Sequence, residues 1–279
     1  MLDKLCGMNI TYMRYSFDYF LNSLKKLDVS FMELWGGAPH FLISDMTHHK
    51  AKEVQRKIQT RNIKIEVFTP EQCMYPINIA SSDKSIRDRS INYFLKSIDI
   101  ADSLEVGKML ITSGLGYFDG NKEHTWKRSK EALNQISKYA EEKKVELLLE
   151  PLSVYESNLV TDLTTLKQML LEVDSDQLKP MVDIAPMTLE QESLEDYFSE
   201  FSANLSHVHF VDTNLFHEHL PLGEGDTDIA NNLKIIHKHN YTGKLTLELT
   251  GPAQTFTPHK ALEKSINYIS MLEKERKLK

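Results

Sequence analysis

Eight short apolar runs, rich in β-branched residues, recur along this chain with an amphipathic segment after each. They are CGMNIT (6–11), FMELW (31–35), IKIEVFT (63–69), KMLITS (108–113), VELLLE (145–150), KPMVDI (179–184), HVHFV (207–211) and KLTLEL (244–249). Runs of this length read as strands, and the intervening periodicity reads as helix. Three of the helices carry evident N-terminal caps: Ser16 before FDYFLNSLKKL, Thr161 before DLTTLKQMLLEV and Asp226 before TDIANNLKIIHKH. Others are expected over 45–60, 83–103, 122–143, 189–201 and 258–276. Strict strand–helix alternation implies βαβ units and a parallel sheet. Eight such units in 279 residues predict an α/β chain folded as one (β/α)8 barrel over 1–279, rather than an open doubly wound sheet.

Barrels of this kind build their active sites at the C-terminal ends of the strands, so what each strand ends in matters most. The fifth ends in Glu150, the sixth in Asp183, the seventh in His209 and the eighth in Glu248. Any one alone has an ordinary explanation, as a helix cap or a satisfied core histidine. Four on consecutive strands converge on one spot. Three carboxylates packed there repel one another unless a cation lies among them. Two Glu, one Asp and one His suit a divalent metal that accepts oxygen and nitrogen together: Mn²⁺, Co²⁺, Ni²⁺, Zn²⁺ or Fe²⁺. The donor types do not choose among these.

The loops leading off the strands add a charge argument. Across the eight strand-following segments the only basic residue is Arg14, whereas Glu71, Asp119, Glu156, Asp212, Glu218 and Glu224 are acidic. With a net charge of −7, this disfavours a nucleic-acid partner or a phosphorylated substrate. It suits a neutral or amine-bearing small molecule, a sugar or sugar–amine. Trp35, Tyr75, Tyr117, Phe118, Tyr155 and Phe216 in the same loops either stack on a sugar or pack the barrel mouth. No apolar run approaches the roughly 18 residues a membrane span needs. The N-terminal run reads as a strand rather than a leader, and two cysteines, Cys6 and Cys73, fit a reducing, cytoplasmic setting. HEHL (217–220) is not a zinc-protease helix motif, because its histidines are two apart, and GEGD (223–226) reads as a tight turn with an Asp cap.

The segments MELWGGAPHF (32–41), FTPEQCMYPIN (68–78), LLLEPLSVYESNLV (147–160), MVDI (181–184), HVHFVDTN (207–214) and LPLGEGD (220–226) carry a resemblance. The chain resembles the xylose-isomerase-like TIM barrel superfamily, specifically its D-tagatose 3-epimerase-type sugar epimerases, and within these the fructoselysine 3-epimerase group. The resemblance implies that Glu150, Asp183, His209 and Glu248 are metal ligands. It implies further that Glu150 and Glu248 are the acid/base pair and that Glu156 holds substrate near O1 and O2. It also implies a homo-oligomer. Two substrate contacts of the tagatose epimerases have no counterpart: a His falls at Pro186, and an Arg is missing from NLFHEHLPLG. The superfamily's endonuclease IV shares the four strand ends, yet its further metal-binding histidines fall at Pro186 and near Ser113.

The chemistry of the strand ends agrees with the resemblance. Inverting a carbon beside a ketone requires one carboxylate to remove a C–H proton and another to return one to the opposite face. Glu150 and Glu248 are the candidates for C3 of a ketose, fructoselysine giving psicoselysine. Other ketose 3-epimerases or sugar and keto-acid isomerases are the alternative, and a metal phosphodiesterase a more distant one. Trp35, Tyr75, His40 and His219 are expected as further substrate or supporting contacts, from their place at strand ends.

Overall fold

The chain alternates as its sequence pattern requires, and a computed structural model describes residues 1–275. The elements are β1 (Leu5–Met8), α1 (Phe17–Lys26), β2 (Phe31–Gly36), α2 (His48–Gln59), β3 (Lys64–Pro70), α3 (Lys84–Leu104), β4 (Lys108–Thr112) and α4 (Lys122–Lys143). Then follow β5 (Glu146–Glu150), α5 (Leu163–Val173), β6 (Leu178–Asp183), α6 (Ile184–Leu189), α7 (Leu194–Phe201) and β7 (His207–His209). The chain ends with β8 (Asp212–Asn214), β9 (His217–Leu220), α8 (Ile229–Lys238), β10 (Leu245–Leu247), α9 (Pro252–Phe256) and α10 (Pro258–Lys274). Eight strands close a barrel in the order β1-β10-β7-β6-β5-β4-β3-β2, with every neighbouring pair parallel. The (β/α)8 barrel is therefore the fold. No helix among the described residues is long and apolar enough to cross a membrane.

The sequence patterning also explains which way each strand side chain points. Alternate residues such as Leu147 and Leu149 join the large cluster between barrel and helices, while Val67, Leu110, Leu148 and Met181 form a separate small cluster. With a side-chain period of two, the second set faces the barrel interior. Fully burying each such leucine contributes about 2 kcal/mol. Two residues on from the inner layer, the same face presents Thr112, Glu150 and Asp183 at the mouth. On the opposite wall the inner layer is polar: His207, Glu33 and Thr246 are buried there, followed in register by His209, Trp35 and Glu248.

Several boundaries differ from expectation for identifiable reasons. The segment after the sixth strand is helical, because Asp183 caps α6 by accepting from the Ala185 amide at 2.8 Å, and Pro186 is tolerated in a first turn. The helix expected over 189–201 begins only at Leu194, as α7, and α6 lies ahead of that range and ends at Leu189. The caps expected at Thr161 and Asp226 move to Asp162, within a capping box with Thr165, and to Asp228. Ser16 caps α1 as expected, accepting from the Tyr19 amide. The helix expected over 258–276 is α10, and position 276 lies outside the described residues. An unforeseen antiparallel hairpin, β8–β9, occupies the loop after β7. Its base is clasped by Asp212, whose buried carboxylate accepts from the amides of Thr213, Gly223, Gly225 and Thr227 at 2.8–3.1 Å. A Cβ at Gly225 would lie 2.3 Å from that carboxylate, which is why GEGD carries glycine there.

Candidate metal centre

One ligand atom from each of Glu150, Asp183, His209 and Glu248 lies within 4.8 Å of all the others. His209 Nδ1 sits 3.0 Å from Glu150 Oε1, 2.9 Å from Glu248 Oε2 and 3.6 Å from Asp183 Oδ2. Yet Nδ1 is buried without a partner in hydrogen-bonding geometry. Carboxylate oxygens close to a ring nitrogen but out of line with an N–H are arranged around a common centre rather than around a proton. Glu150, Asp183 and His209 are buried, and the Glu248 side chain is 14% exposed. Two buried carboxylates, the partly buried Glu248 and one imidazole nitrogen therefore fit a divalent cation.

The opposite ring nitrogen explains how His209 is aimed. Its Nε2 donates to Glu33 Oε1 at 3.0 Å, which leaves Nδ1 free to ligate. Glu33 also accepts from His207 Nε2 at 2.8 Å and from Thr69 Oγ1. Burial favours the neutral acid at Glu33, but the two histidines outweigh it and hold the carboxyl well below its ordinary range. Burial likewise disfavours a charged His209, yet Glu33, Glu248 and Glu150 together push its pKa well above the usual imidazole value. A bound cation takes the place of that second proton. His207 is driven the other way, mainly by burial. Sequence reasoning passed over Glu33. Its one signal was an acid in the middle of an apolar strand, in register with the barrel interior.

Desolvation raises the pKa of Glu150, aided by Glu248 and Asp183 and opposed by His209. At Asp183 burial is outweighed by His219, His209 and the Ala185 amide, so its pKa falls. The two carboxylates thus have opposite proton affinities within one site. His219 is the fifth charge. Its Nε2 lies 3.5 Å from Asp183 and its Nδ1 3.4 Å from Glu248, and Nδ1 donates to the Glu248 carbonyl at 3.1 Å. Although burial works against protonation, Asp183 and Glu248 push its pKa up to about 9. The residue reaches this position from β9 with a left-handed backbone, φ 56°, which is costly for a non-glycine residue.

A cavity of about 240 Å³ is lined by three of the four candidate ligands, Glu150, Asp183 and Glu248, together with Trp35, Glu156 and His219. Trp35 is fixed by donating its indole N–H to Glu71 at 2.7 Å, and Glu156 accepts from Ser153 Oγ at 3.0 Å. Tyr75 stands in an adjoining chamber, its hydroxyl accepting from the Ala38 amide at 2.7 Å. His40 is not among the lining residues. Its Nδ1 lies 3.3 Å from Asn9 and its Nε2 2.7 Å from the Tyr15 carbonyl, so both nitrogens are engaged in holding loops together. The acidic rim is also thinner than the loop composition suggests. Glu71 and Asp212 are buried braces, and Glu224 pairs with Lys264.

The family model described as xylose isomerase-like TIM barrel matches residues 21–272. A fructoselysine 3-epimerase from Shigella flexneri is 30% identical over 245 residues, covering 88% of this chain and 87% of that protein. Among solved structures, D-psicose 3-epimerase with D-tagatose from Clostridium cellulolyticum H10 superposes with a TM-score of 0.77. It is 17% identical, over 94% of this chain and 98% of that one. The IolI protein with a bound zinc atom gives 0.77 at 16% identity, over 97% of each chain.

Proposed function

The chain belongs to the xylose isomerase-like TIM barrel family, and from that premise we propose that it is a metal-dependent epimerase inverting C3 of a ketose. We take the substrate to be the ketose–amine conjugate of the fructoselysine 3-epimerases it resembles. The observation that carries the reading is the meeting of four metal-competent atoms, three of them on buried residues, from four consecutive barrel strands within 4.8 Å. Glu150, Asp183, His209 and Glu248 would hold the cation, which supplies Lewis-acid polarisation of the C2 ketone and offsets negative charge as it develops on oxygen.

The remaining work belongs to the protein's own groups. One of Glu150 and Glu248 accepts the C3 proton as the C3–H bond breaks and the electron pair moves to form an enediolate across C2 and C3. The other, protonated beforehand, donates its proton to the opposite face of C3, and the ketone is restored. The reverse reaction exchanges the two roles. His219, beside Glu248 and Asp183, offers a ring N–H to charge on the oxygen side, and Glu156 orients the sugar hydroxyls. Trp35 walls the site against water.

Glu150→Gln and Glu248→Gln should each abolish exchange of the C3 hydrogen with solvent deuterium, while leaving the protein folded. Exchange persisting in both variants would refute the two-carboxylate assignment. On this reading the chain also associates with itself. Tyr155, Phe216 and Phe256, in the segments that follow barrel strands, are 81%, 82% and 77% exposed, and they are the side chains such an association would cover. Light scattering giving a multiple of 32.2 kDa is the expected result, and a mass of one chain would contradict it.

A further inference from the structure

A second cavity, about 560 Å³, opens beside the metal cavity and shares with it a wall that includes Gln72, Cys73, Thr112, Leu152 and Glu156. It runs outward between the loops after β3 and β4 to the N-terminal turns of α3 and α4. Its lining includes the apolar Ile77, Ile86, Leu115 and Tyr117 and, from α3 and α4, Arg89 and Arg128. The floor is braced, because Asn78 Oδ1 accepts from the Ala80 and Leu115 amides while its Nδ2 donates to the Leu115 carbonyl.

The two arginines stand out in an acidic chain. Arg128 is held by donating Nε to the Ala80 carbonyl at 2.9 Å and Nη2 to Thr125 Oγ1 at 3.0 Å. Arg89 donates Nη2 to the Pro76 carbonyl at 2.9 Å. Among the described residues neither is paired with a carboxylate, although lysines on the same helices are: Lys84 with Asp88 and Lys127 with Glu131. A guanidinium oriented by neutral acceptors, in a chamber whose one lining carboxylate is Glu156 on the wall shared with the metal cavity, keeps donors available for an incoming carboxylate.

We infer that this chamber is the subsite for the non-reacting arm of the substrate: a hydrocarbon linker ending in a carboxylate, as in an ω-amino acid joined through its amine to C1 of a ketose. The inference rests on the proposed epimerase reading. The lining offers a group for each part of such an arm. Glu156, on the shared wall, meets the secondary ammonium next to the sugar. The apolar stretch takes the methylenes, and Arg128, assisted by Arg89, takes the terminal carboxylate.

The test compares kcat/KM for C3 epimerisation of two ketosamines, with Mn²⁺ added: that of fructose with the side-chain amine of lysine, and that of fructose with 1,5-diaminopentane, which differs by the carboxylate alone. The native enzyme should favour the lysine conjugate by roughly 10- to 100-fold, the range a charge-assisted hydrogen bond provides, chiefly through KM. Arg128→Gln should bring the ratio toward one, Arg89→Gln should reduce it in part, and Arg128→Lys should restore some of it. Because a ratio is read within one protein, a general loss of folding or metal cancels. A native ratio near one, or a ratio unmoved by Arg128→Gln, would overturn the subsite while leaving the epimerase reading intact. Turnover of free ketoses but of neither ketosamine would overturn the conjugate substrate and the subsite together. An absence of C3 exchange with every ketose and ketosamine offered would overturn the epimerase reading itself.

Discussion

Replacing Glu33 by Gln probes how the metal centre is held without touching a ligand. Glu33 is fully buried and accepts from three donors, His207 Nε2, His209 Nε2 and Thr69 Oγ1. Glutamine keeps the volume and one acceptor oxygen, but its NH₂ group must then face an imidazole N–H. The charge that holds His209 with its proton on Nε2 disappears, so the ring loses both its preferred tautomer and its orientation. Removing such an outer partner of a ligating histidine typically costs 10- to 100-fold in metal affinity, about 1.4–2.7 kcal/mol. Breaking one side of a buried charged network destabilises the fold by about 3–5 kcal/mol, a fall in Tm of order 10 °C for a chain of this size. Competition against a fluorescent chelator gives the affinity, and calorimetry with and without Mn²⁺ gives the stability. A Glu33→Gln protein that binds metal as tightly as the native one would refute the argument that Glu33 aims His209, whatever its melting temperature.

Two further predictions follow from the same geometry. After chelation of metal, the protein should lose stability as pH rises from about 6.5 to about 9. His219 has a folded pKa raised to about 9 from 6.5, so its contribution is complete below 6.5 and lost on passing 9, and the raised Glu150 works in the same direction. Saturating Mn²⁺ binds the deprotonated ligands, so the stabilisation it gives should grow with pH; melting temperatures that gain equally from Mn²⁺ at pH 6 and pH 9 would contradict this. Gly225→Ala should lower the urea midpoint by an amount equivalent to about 2–3 kcal/mol, since the new Cβ meets the Asp212 carboxylate and the Thr213 backbone at 2.3–2.7 Å. An unchanged midpoint would show that Asp212 does not clasp the loop.

Much of the barrel was legible because its information is local. Each strand is a short apolar run, each helix has a cap or a periodic face, and period-two alternation fixes Leu148 inward and hence Glu150 at the mouth. The four strand ends could be aligned from the sequence because consecutive strands are neighbours in such a barrel. What escaped depends on contacts distant in sequence. Glu33 meets His209 across 176 positions, and nothing in FMELW announces that partner. Counting basic residues only in the loops missed Arg89 and Arg128, which helices deliver to the mouth from behind the loops. The β8–β9 hairpin is short and polar, held by Asp212 rather than by an apolar pattern, so periodicity could not find it. His40 was placed near the site by the strand-end rule, yet its ring nitrogens tie Asn9 to Tyr15.

The most direct measurement is to incubate the Mn²⁺-loaded protein in D₂O with the ketosamine of fructose and lysine and to follow each carbon by NMR. The account predicts deuterium at C3 in both epimers, no label at C1, and loss of the exchange on chelation. Label at C1 would instead mean aldose–ketose isomerisation, and an unlabelled C3 under these conditions would contradict the proposed reaction.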